Sequence, residues 1–326
     1  MEAVDLRPLS LGELLDRTFR LYRNHFLLFV SIMAIPAVFY LPFNALVLSF
    51  QGTMMSAAAT QPGKPPFVPT PSLIGGMFLG FFVLALVVGI VYSIAVAAAT
   101  SAVADVYLGR ASTVRGAYGK IRGRFWRLLG VILNILLRML GLMAAVICIL
   151  IGATAGLGVV FGGGRGSPVF GALLVLAVLF AYALGAALCV WLWLRYAVAI
   201  PVLMVENLGV LATIRRSVFL TRGRRGQIFL ALLVAFIIAY AGLFVLQMPF
   251  SIAMLISAAR GHWSQWLAFA TALAGAIGSA LTGPISMIAI VLLYYDSRIR
   301  KEAFDLQYMM ASLDSPRAAE GTVSPA

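Results

Sequence analysis

The feature that most constrains this chain is a set of six long stretches without Asp, Glu, Lys or Arg. A helix that crosses the hydrocarbon core of a bilayer needs about 20 apolar residues, because each residue rises ~1.5 Å across ~30 Å. None of the stretches alternates with the period of two that is typical of a membrane β-barrel. The predicted spans are Phe26 to Phe50, Ser72 to Ala104, Met139 to Phe161, Val169 to Leu194, Gln227 to Ala259 and Trp266 to Tyr295.

Composition excludes a water-soluble fold. Hydrophobic residues make up 62% of the chain, charged residues 11%, and the mean hydropathy is +1.02. Soluble proteins contain roughly 45–50% apolar and about 25% charged residues, so this chain has too few charges to cover a surface in water. We therefore predict an all-α, polytopic membrane helix bundle, with six transmembrane helices arranged as three repeated hairpins.

The distribution of basic residues predicts the orientation. Of the 24 basic residues, 20 lie in the N-terminal arm, the second-to-third and fourth-to-fifth connections, and the C-terminal tail, whereas only Lys64, Arg165 and Arg260 lie on the other side. Cytoplasmic loops carry an excess of Lys and Arg, so both termini are expected in the cytoplasm. The net charge of +13 is then explained by anionic lipid headgroups on that face, without nucleic acid as a partner.

An internal repeat with an offset of 100 residues divides the chain. The matching elements are Leu108-Gly109 and Leu208-Gly209, Thr113-Val114-Arg115 and Thr213-Ile214-Arg215, and Arg122-Gly123-Arg124 and Arg222-Gly223-Arg224. A weaker third copy begins at Leu11-Gly12. We predict one membrane domain over residues 1–311, with units of about 6–105, 106–206 and 207–300, followed by a disordered cytoplasmic tail over 312–326.

Each predicted pair of spans ends in a carboxylate, namely Asp105, Glu206 and Asp296. An acid at the C-terminus of a helix opposes the helix dipole, so these acids are expected to pair with the basic loops, or the helices to continue past the membrane surface. Two interpretations of such pairing remain open. The pairs are either solvated contacts at the interface or a cytoplasmic charge ring that fixes how the three hairpins pack.

The N-terminal segment predicts an amphipathic helix that precedes the first span. Ser10 followed by Glu13 is a capping-box pattern. The apolar residues that share one helical face are Leu11, Leu14, Leu15, Phe19, Tyr22 and Phe26. Such a cytoplasmic helix lies in the membrane interface, and it acts either as a structural elbow or as a lipid sensor or docking surface.

Two arginines are candidates for a role at membrane depth. Arg138 lies either deep in the third span or, if that span begins at Met139, at the interface, with Asn134 one turn before it. Arg195 follows Trp191 and Trp193, which are typical of an interfacial aromatic belt. Because the residues after Arg195 are apolar again, pairing of Arg195 with Glu206 is the alternative.

Catalytic and cofactor motifs are missing from the sequence. No span carries a pair of acids, a histidine cluster or a nucleotide-binding motif, so we expect no enzyme activity, cofactor or metal. The two cysteines, Cys148 and Cys189, fall inside predicted spans and are expected to be reduced packing residues.

The opening, LRPLSLGELLDRTFRLYR at residues 6–23, resembles bacterial membrane proteins of the glycerophosphoryl diester phosphodiesterase membrane domain family. Residues 199–206, the motif at 222–224 and residues 294–302 are similar to the same family. The resemblance implies a six-helix protein of the bacterial inner membrane. It implies no phosphodiesterase activity, because that chemistry belongs to a separate soluble barrel domain whose metal-binding acids are not found here.

These observations give a leading functional hypothesis and an alternative. The leading one is a non-enzymatic membrane module that binds lipid or a partner membrane protein, and the alternative is a transporter or lipid-moving protein for an anionic or amphipathic substrate. A transporter predicts a polar cavity at mid-depth that reaches Arg138 or Arg195. An intramembrane lipid enzyme ranks third. The candidate lipid or anion contacts are Arg115, Arg122, Arg124, Arg138, Arg195, Arg215, Arg222 and Arg224.

Overall fold

The computed structural model describes residues 9–58, 71–107, 109–160, 168–260 and 264–302. Within these ranges all regular structure is α-helical, as predicted, and no strand occurs. The helices are α1 (Leu11–Asn24), α2 (Phe26–Ala58), α3 (Pro71–Tyr107), α4 (Val114–Arg122), α5 (Phe125–Val160), α6 (Pro168–Tyr196), α7 (Ala199–Glu206), α8 (Val210–Thr221), α9 (Arg225–Ala259) and α10 (Gln265–Glu302).

Six apolar segments in the described part of the chain are long enough to cross a membrane, which confirms the predicted number of spans. They lie at Phe26–Leu48, Leu79–Val106, Phe125–Gly152, Gly171–Glu206, Arg225–Ala259 and Gln265–Glu302. The chain is therefore a multi-pass membrane protein. The fourth segment includes two helices, because the helix is interrupted at residues 197 and 198, just before Pro201.

Helix α10 lies at the centre of the bundle. It packs against its neighbour α9, against α2 and α3, and against the short helices α1, α7 and α8. Helices α2 and α3 pack against each other, and so do α5 and α6. Most of the residues of α10 are buried, and Tyr294 is its largest fully buried side chain.

The molecule has two halves with different packing. We call the first the charged half: it consists of α1, α4, α7 and α8 together with the adjoining ends of the long helices. Its large apolar core includes Leu14, Ile121, Leu203, Leu220 and Tyr294. The second, which we call the apolar half, consists of the remaining parts of the long helices, and it exposes many large apolar side chains, for example those at Val83, Ile149, Phe180, Phe244 and Phe269.

Helix α1 has the predicted capping box at its start. The Ser10 hydroxyl accepts a hydrogen bond from the Glu13 N–H at 3.3 Å, and the Glu13 carboxylate accepts one from the Ser10 N–H at 2.8 Å. The face that packs on the protein is narrower than the predicted stripe. It buries Leu14 and Thr18, whereas Leu11 and Phe19 stay exposed.

A hydroxyl of α4 binds the backbone beside a proline of α2. Pro36 has no N–H, so it leaves the carbonyl of Ile32 without its partner in the helix. The hydroxyl of Tyr118 donates to this carbonyl at 2.9 Å. Burial raises the pKa of Tyr118 to about 12, so the phenol stays protonated and can donate at neutral pH. The tyrosine thus supplies the carbonyl of Ile32 with the hydrogen bond that the proline cannot donate.

Two further short helices also bind a backbone carbonyl of a long helix through a hydroxyl group. The Tyr22 hydroxyl of α1 donates at 2.6 Å to the carbonyl of Leu281, three residues before Pro284 in α10. The Ser217 hydroxyl of α8 donates at 3.0 Å to the carbonyl of Arg195, at the interruption that precedes Pro201. Each short helix is thereby fixed to a long helix through a backbone carbonyl.

Candidate lipid-binding face

Asp296 is almost completely buried and joins three parts of the charged half. Its carboxylate accepts hydrogen bonds from Arg224 at 3.0 Å, from Arg300 at 2.9 Å, and from the backbone N–H of Leu9 at 2.9 Å. Its exposed fraction is 3%. The donors come from the start of α9, from α10 and from the residues before α1, so the carboxylate holds these segments together. We call these groups the Asp296 cluster.

Glu206 belongs to a second network, which we call the Glu206 cluster. Its carboxylate binds Arg216 of α8 at 2.8 Å and the Tyr294 hydroxyl of α10 at 3.0 Å, and Arg298 lies 3.8 Å away. Arg216 and Arg298 both also pair with Glu302. Burial alone would lower the pKa of Arg216, but the hydrogen bonds to Glu302 and Glu206 raise it above its ordinary value. The cluster has two acids and two arginines, so its charges cancel.

Asp105 is paired with Lys120 of the following helix α4. The Lys120 ammonium lies 2.6 Å from both carboxylate oxygens. All three acids that end the predicted pairs of spans therefore have basic partners in the structure. The alternative partner for Glu206, Arg195, does not form that ion pair among the contacts of the described residues; Arg216 and Arg298 do.

Basic side chains bind the carbonyl ends of two short helices. Arg124 donates to the carbonyl of Met204 at 2.7 Å and to the Asn207 side chain at 3.0 Å, where α7 ends in a left-handed residue. Lys301 donates to the carbonyls of Phe219 and Arg222 at the end of α8. These cations donate hydrogen bonds to carbonyl groups at the ends of helices. Arg124 and Arg224 thus have internal contacts that the sequence pattern alone does not reveal.

Four of the candidate arginines are exposed on the charged half. They are Arg115, Arg122, Arg215 and Arg222. None of them forms an ion pair with an acid in the ranges that the structure describes. The paired acids in these ranges bind other basic residues, either inside the two clusters or close to them in the sequence. Within these ranges, the four arginines therefore present positive charge that no described acid neutralises.

The structure brings Arg138 and Arg195 together near one place on the surface. Arg138 donates to the Asn134 side chain at 2.8 Å, as the one-turn spacing suggests, and to the Tyr196 hydroxyl at 2.9 Å. The guanidinium of Arg195 lies 4.8 Å from the centre of the Trp191 ring. With Arg215 of α8, these two arginines line a concavity of about 360 Å³.

A separate cavity of about 370 Å³ lies among α2, α3, α9 and α10. Its polar lining consists of hydroxyl groups from residues such as Tyr92, Tyr240, Thr282 and Ser286, and it includes neither Arg138 nor Arg195. A transporter for an anionic substrate requires a polar path to one of these arginines, and this cavity does not supply that path.

Several residues that sequence patterns single out lie outside the described ranges. They include Arg7, Lys64, Arg165, Arg317 and the tail at 312–326. Within the described part of the chain, no group of three His, Cys, Asp or Glu side chains is placed to hold a metal ion. Cys148 and Cys189 are both free thiols.

Other residues of the clusters escaped the sequence interpretation. Arg300 lies four residues after Asp296, and Glu302 lies four residues after Arg298, which is the spacing of ion pairs on one helical face. That spacing is visible in the sequence. The contact of Arg138 with Tyr196 has no comparable signal, because it joins residues that are 58 positions apart.

Comparison of the chain with protein-family models, with curated proteins and with solved structures found no match.

Proposed function

We propose that this protein is a non-enzymatic module of the bacterial inner membrane that binds anionic lipid headgroups through its charged half. The observation that carries the proposal is the segregation of charge. Asp105, Glu206, Asp296 and Glu302 form internal ion pairs, whereas a set of arginines stays exposed without an acidic partner among the described residues. Basic residues beside membrane spans attract an anionic leaflet by about 1 kcal/mol each.

The proposed orientation has the charged half and both termini on the cytoplasmic side. The excess of basic residues on that side supports it. Arg260, at the end of α9 in the apolar half, lies on the opposite side. An impermeant thiol reagent that labels an Arg122→Cys variant, but not an Arg260→Cys variant, from outside intact cells would contradict this orientation.

We also propose that the fold consists of three repeated units, each with a short amphipathic helix and a pair of spans. Residues 121–124 and 221–224, offset by 100 positions, have the same order of buried, exposed, exposed and half-buried side chains. The anchoring of all three helices α1, α4 and α8 through a hydroxyl group bound to a backbone carbonyl supports the same repeat. The resemblance to the phosphodiesterase membrane domain family agrees with a membrane part that has no catalytic domain.

The test is lipid binding by the full chain in an uncharged detergent. We would measure the apparent dissociation constants of phosphatidylglycerol and phosphatidylcholine by native mass spectrometry for the wild type and for the variant Arg115→Gln, Arg122→Gln and Arg222→Gln. The wild type is expected to prefer phosphatidylglycerol, and the triple variant to lose about tenfold or more of that preference, since each arginine contributes on the order of 1 kcal/mol.

A matched control is Arg260→Gln, an exposed arginine of the apolar half. It is expected to leave the preference unchanged. Equal binding of the two lipids by the wild type would refute the proposed function. An unchanged preference in the triple variant would show that the charged half is not where the lipid binds. Raised salt should weaken the preference, because exposed charges are screened beyond about 10 Å at 0.1 M.

A further inference from the structure

One concavity on the charged half combines three arginines from three helices. It is lined by Arg138 of α5, Arg195 of α6 and Arg215 of α8, and an apolar wall on α8 completes it. That wall consists of Leu211, Ile214 and Val218. No acidic residue is part of the lining in the described structure. The site therefore combines three positive charges with an apolar surface.

Two of these arginines are held in place by contacts that do not neutralise them. Arg138 is fixed by the amide of Asn134 and the hydroxyl of Tyr196, both of which are uncharged. Arg195 stacks on Trp191, and its Nε–H is buried without a partner among the described residues. A buried donor without a partner costs about 1–3 kcal/mol, which a bound acceptor would recover.

Further positive charge surrounds the site. Arg225 lies 5.4 Å from the centre of the same Trp191 ring, so two guanidinium groups share one indole. Arg215 is exposed, and within the described ranges its side chain forms no ion pair or hydrogen bond. Neither guanidinium forms an ion pair with a carboxylate in the described part of the chain. Two like charges on one ring then favour a bound anion.

The charge and geometry favour a phosphate monoester. A guanidinium group matches phosphate oxygens with paired donors, so three of them lining one concavity suit a group with three terminal oxygens. A phosphate monoester carries about −1.5 to −2 charge at pH 7, whereas the diester of an ordinary phospholipid carries −1. The stronger charge gains more from several arginines.

We propose that this concavity binds the phosphate-monoester headgroup of a membrane lipid. The proposal rests on the proposed function, namely that the charged half faces anionic lipid. The apolar wall on α8 and the exposed side chains of Leu137 and Trp191 offer a surface for the hydrocarbon chains beside the headgroup. Tryptophans in this position are typical of the membrane interface.

The experiment compares three probes on the purified full chain in an uncharged detergent. They are dioctanoyl phosphatidic acid (a lipid monoester), dioctanoyl phosphatidylglycerol (a lipid diester) and glycerol 3-phosphate (a monoester without chains). Dissociation constants are measured for the wild type, for Arg215→Gln and for Arg195→Gln. The wild type is expected to bind phosphatidic acid about tenfold more tightly than either other probe, and each variant to lose about tenfold of that affinity.

Two controls separate the site from general charge. Arg260→Gln removes an exposed arginine of the apolar half that does not line the concavity, and it should change the affinity for phosphatidic acid less than threefold. Arg215→Lys keeps the charge but loses the paired donors, so its affinity should lie between those of the wild type and Arg215→Gln. Because the Arg215 side chain is exposed, its variants test the site without disturbing the core.

Three results would overturn the inference. Equal affinity for phosphatidic acid and phosphatidylglycerol would contradict selectivity for a monoester. Affinities of the variants within twofold of that of the wild type would show that the concavity is not the binding site. Glycerol 3-phosphate that binds as tightly as phosphatidic acid would identify a soluble ligand instead of a lipid. The preference for phosphatidylglycerol over phosphatidylcholine is measured separately and does not depend on these three results. The two proposals therefore fail by different measurements.

Discussion

The charged half and the apolar half of this protein are held together by different forces. In the charged half, short helices cover the ends of the long helices, and ion pairs lie at the edges of a large apolar core. In the apolar half, α5 and α6 contribute little to any core: 6% of the most apolar stretch of each is buried, compared with 67% in α10. Apolar side chains need no burial in protein when lipid surrounds them.

The contrast shows which interactions select one arrangement of the helices over others. Lipid tails are as apolar as leucine, so the apolar half depends on close packing of small residues, such as Ala276 and Ala280 against Ala37. The charged half adds hydrogen bonds and ion pairs that only one arrangement satisfies. Substitutions in the two halves should therefore affect stability by different mechanisms and by different amounts.

The largest effect is expected at the Asp296 cluster. Replacing Asp296 by Ala leaves Arg224 and Arg300 without their shared acceptor in a buried position, and breaking a buried pair costs about 3–5 kcal/mol. The unfolding temperature of the detergent-solubilised protein measures the loss. The control is Asp16→Ala, which removes an exposed pair with Arg20 and should cost less than about 0.5 kcal/mol. Similar losses for the two variants would show that the cluster does not organise the charged half.

An intermediate effect is expected where α9 and α10 meet in the apolar half. A Cβ atom on Gly242 would lie 2.8 Å from the methyl group of Thr282, whose hydroxyl is bound to its own helix. Gly242→Ala should therefore destabilise by about 1–3 kcal/mol in the same unfolding assay. Gly152→Ala in α5 meets nothing within 4 Å and is the matched control. A neutral Gly242→Ala variant would indicate that the two helices are not closely packed.

The smallest effect is expected at the anchor between α4 and α2. Tyr118→Phe removes the donor to the Ile32 carbonyl and should cost about 1 kcal/mol, whereas Tyr182→Phe, at an exposed position on α6, should cost nothing. The thermal shift of each variant measures this difference. Equal shifts for Tyr118→Phe and Tyr182→Phe would show that this hydroxyl does not stabilise the contact.

The same anchor predicts a dependence on alkaline pH. The folded pKa of Tyr118, about 12, lies above the ordinary value of 10.0, so its contribution is complete below pH 10 and is lost as the pH rises towards 12. Tyr118→Phe cannot ionise, and it should lose less stability over that range than the wild type. An identical pH profile for both proteins would contradict the raised pKa.

The features that sequence predicts well here are local. The six spans follow from run length, the capping box follows from Ser10 and Glu13, and the contact of Arg138 with Asn134 follows from helical spacing. Each depends on residues that are close along one helix. Local geometry and the cost of charge in hydrocarbon are sufficient to predict them.

The features that sequence does not reveal depend on which helices meet. The apolar stripe of α1 identifies an amphipathic helix, but it does not show that Thr18 would be buried and Phe19 exposed. Likewise, Arg122 and Arg124 are equivalent in the sequence, yet only Arg124 meets the end of α7. The convergence of Arg138, Arg195 and Arg215 requires three helices to be packed correctly, and no periodic pattern encodes that packing.

The bond between Tyr118 and the Ile32 carbonyl has a mechanical consequence. The acceptor is free only because Pro36 interrupts the hydrogen bonding of α2, so the interruption in one helix is the docking point of another. Restoring a regular backbone with Pro36→Ala would make the new amide compete with the phenol for one oxygen atom. The seating of α4 and the shape of α2 at Pro36 therefore depend on each other.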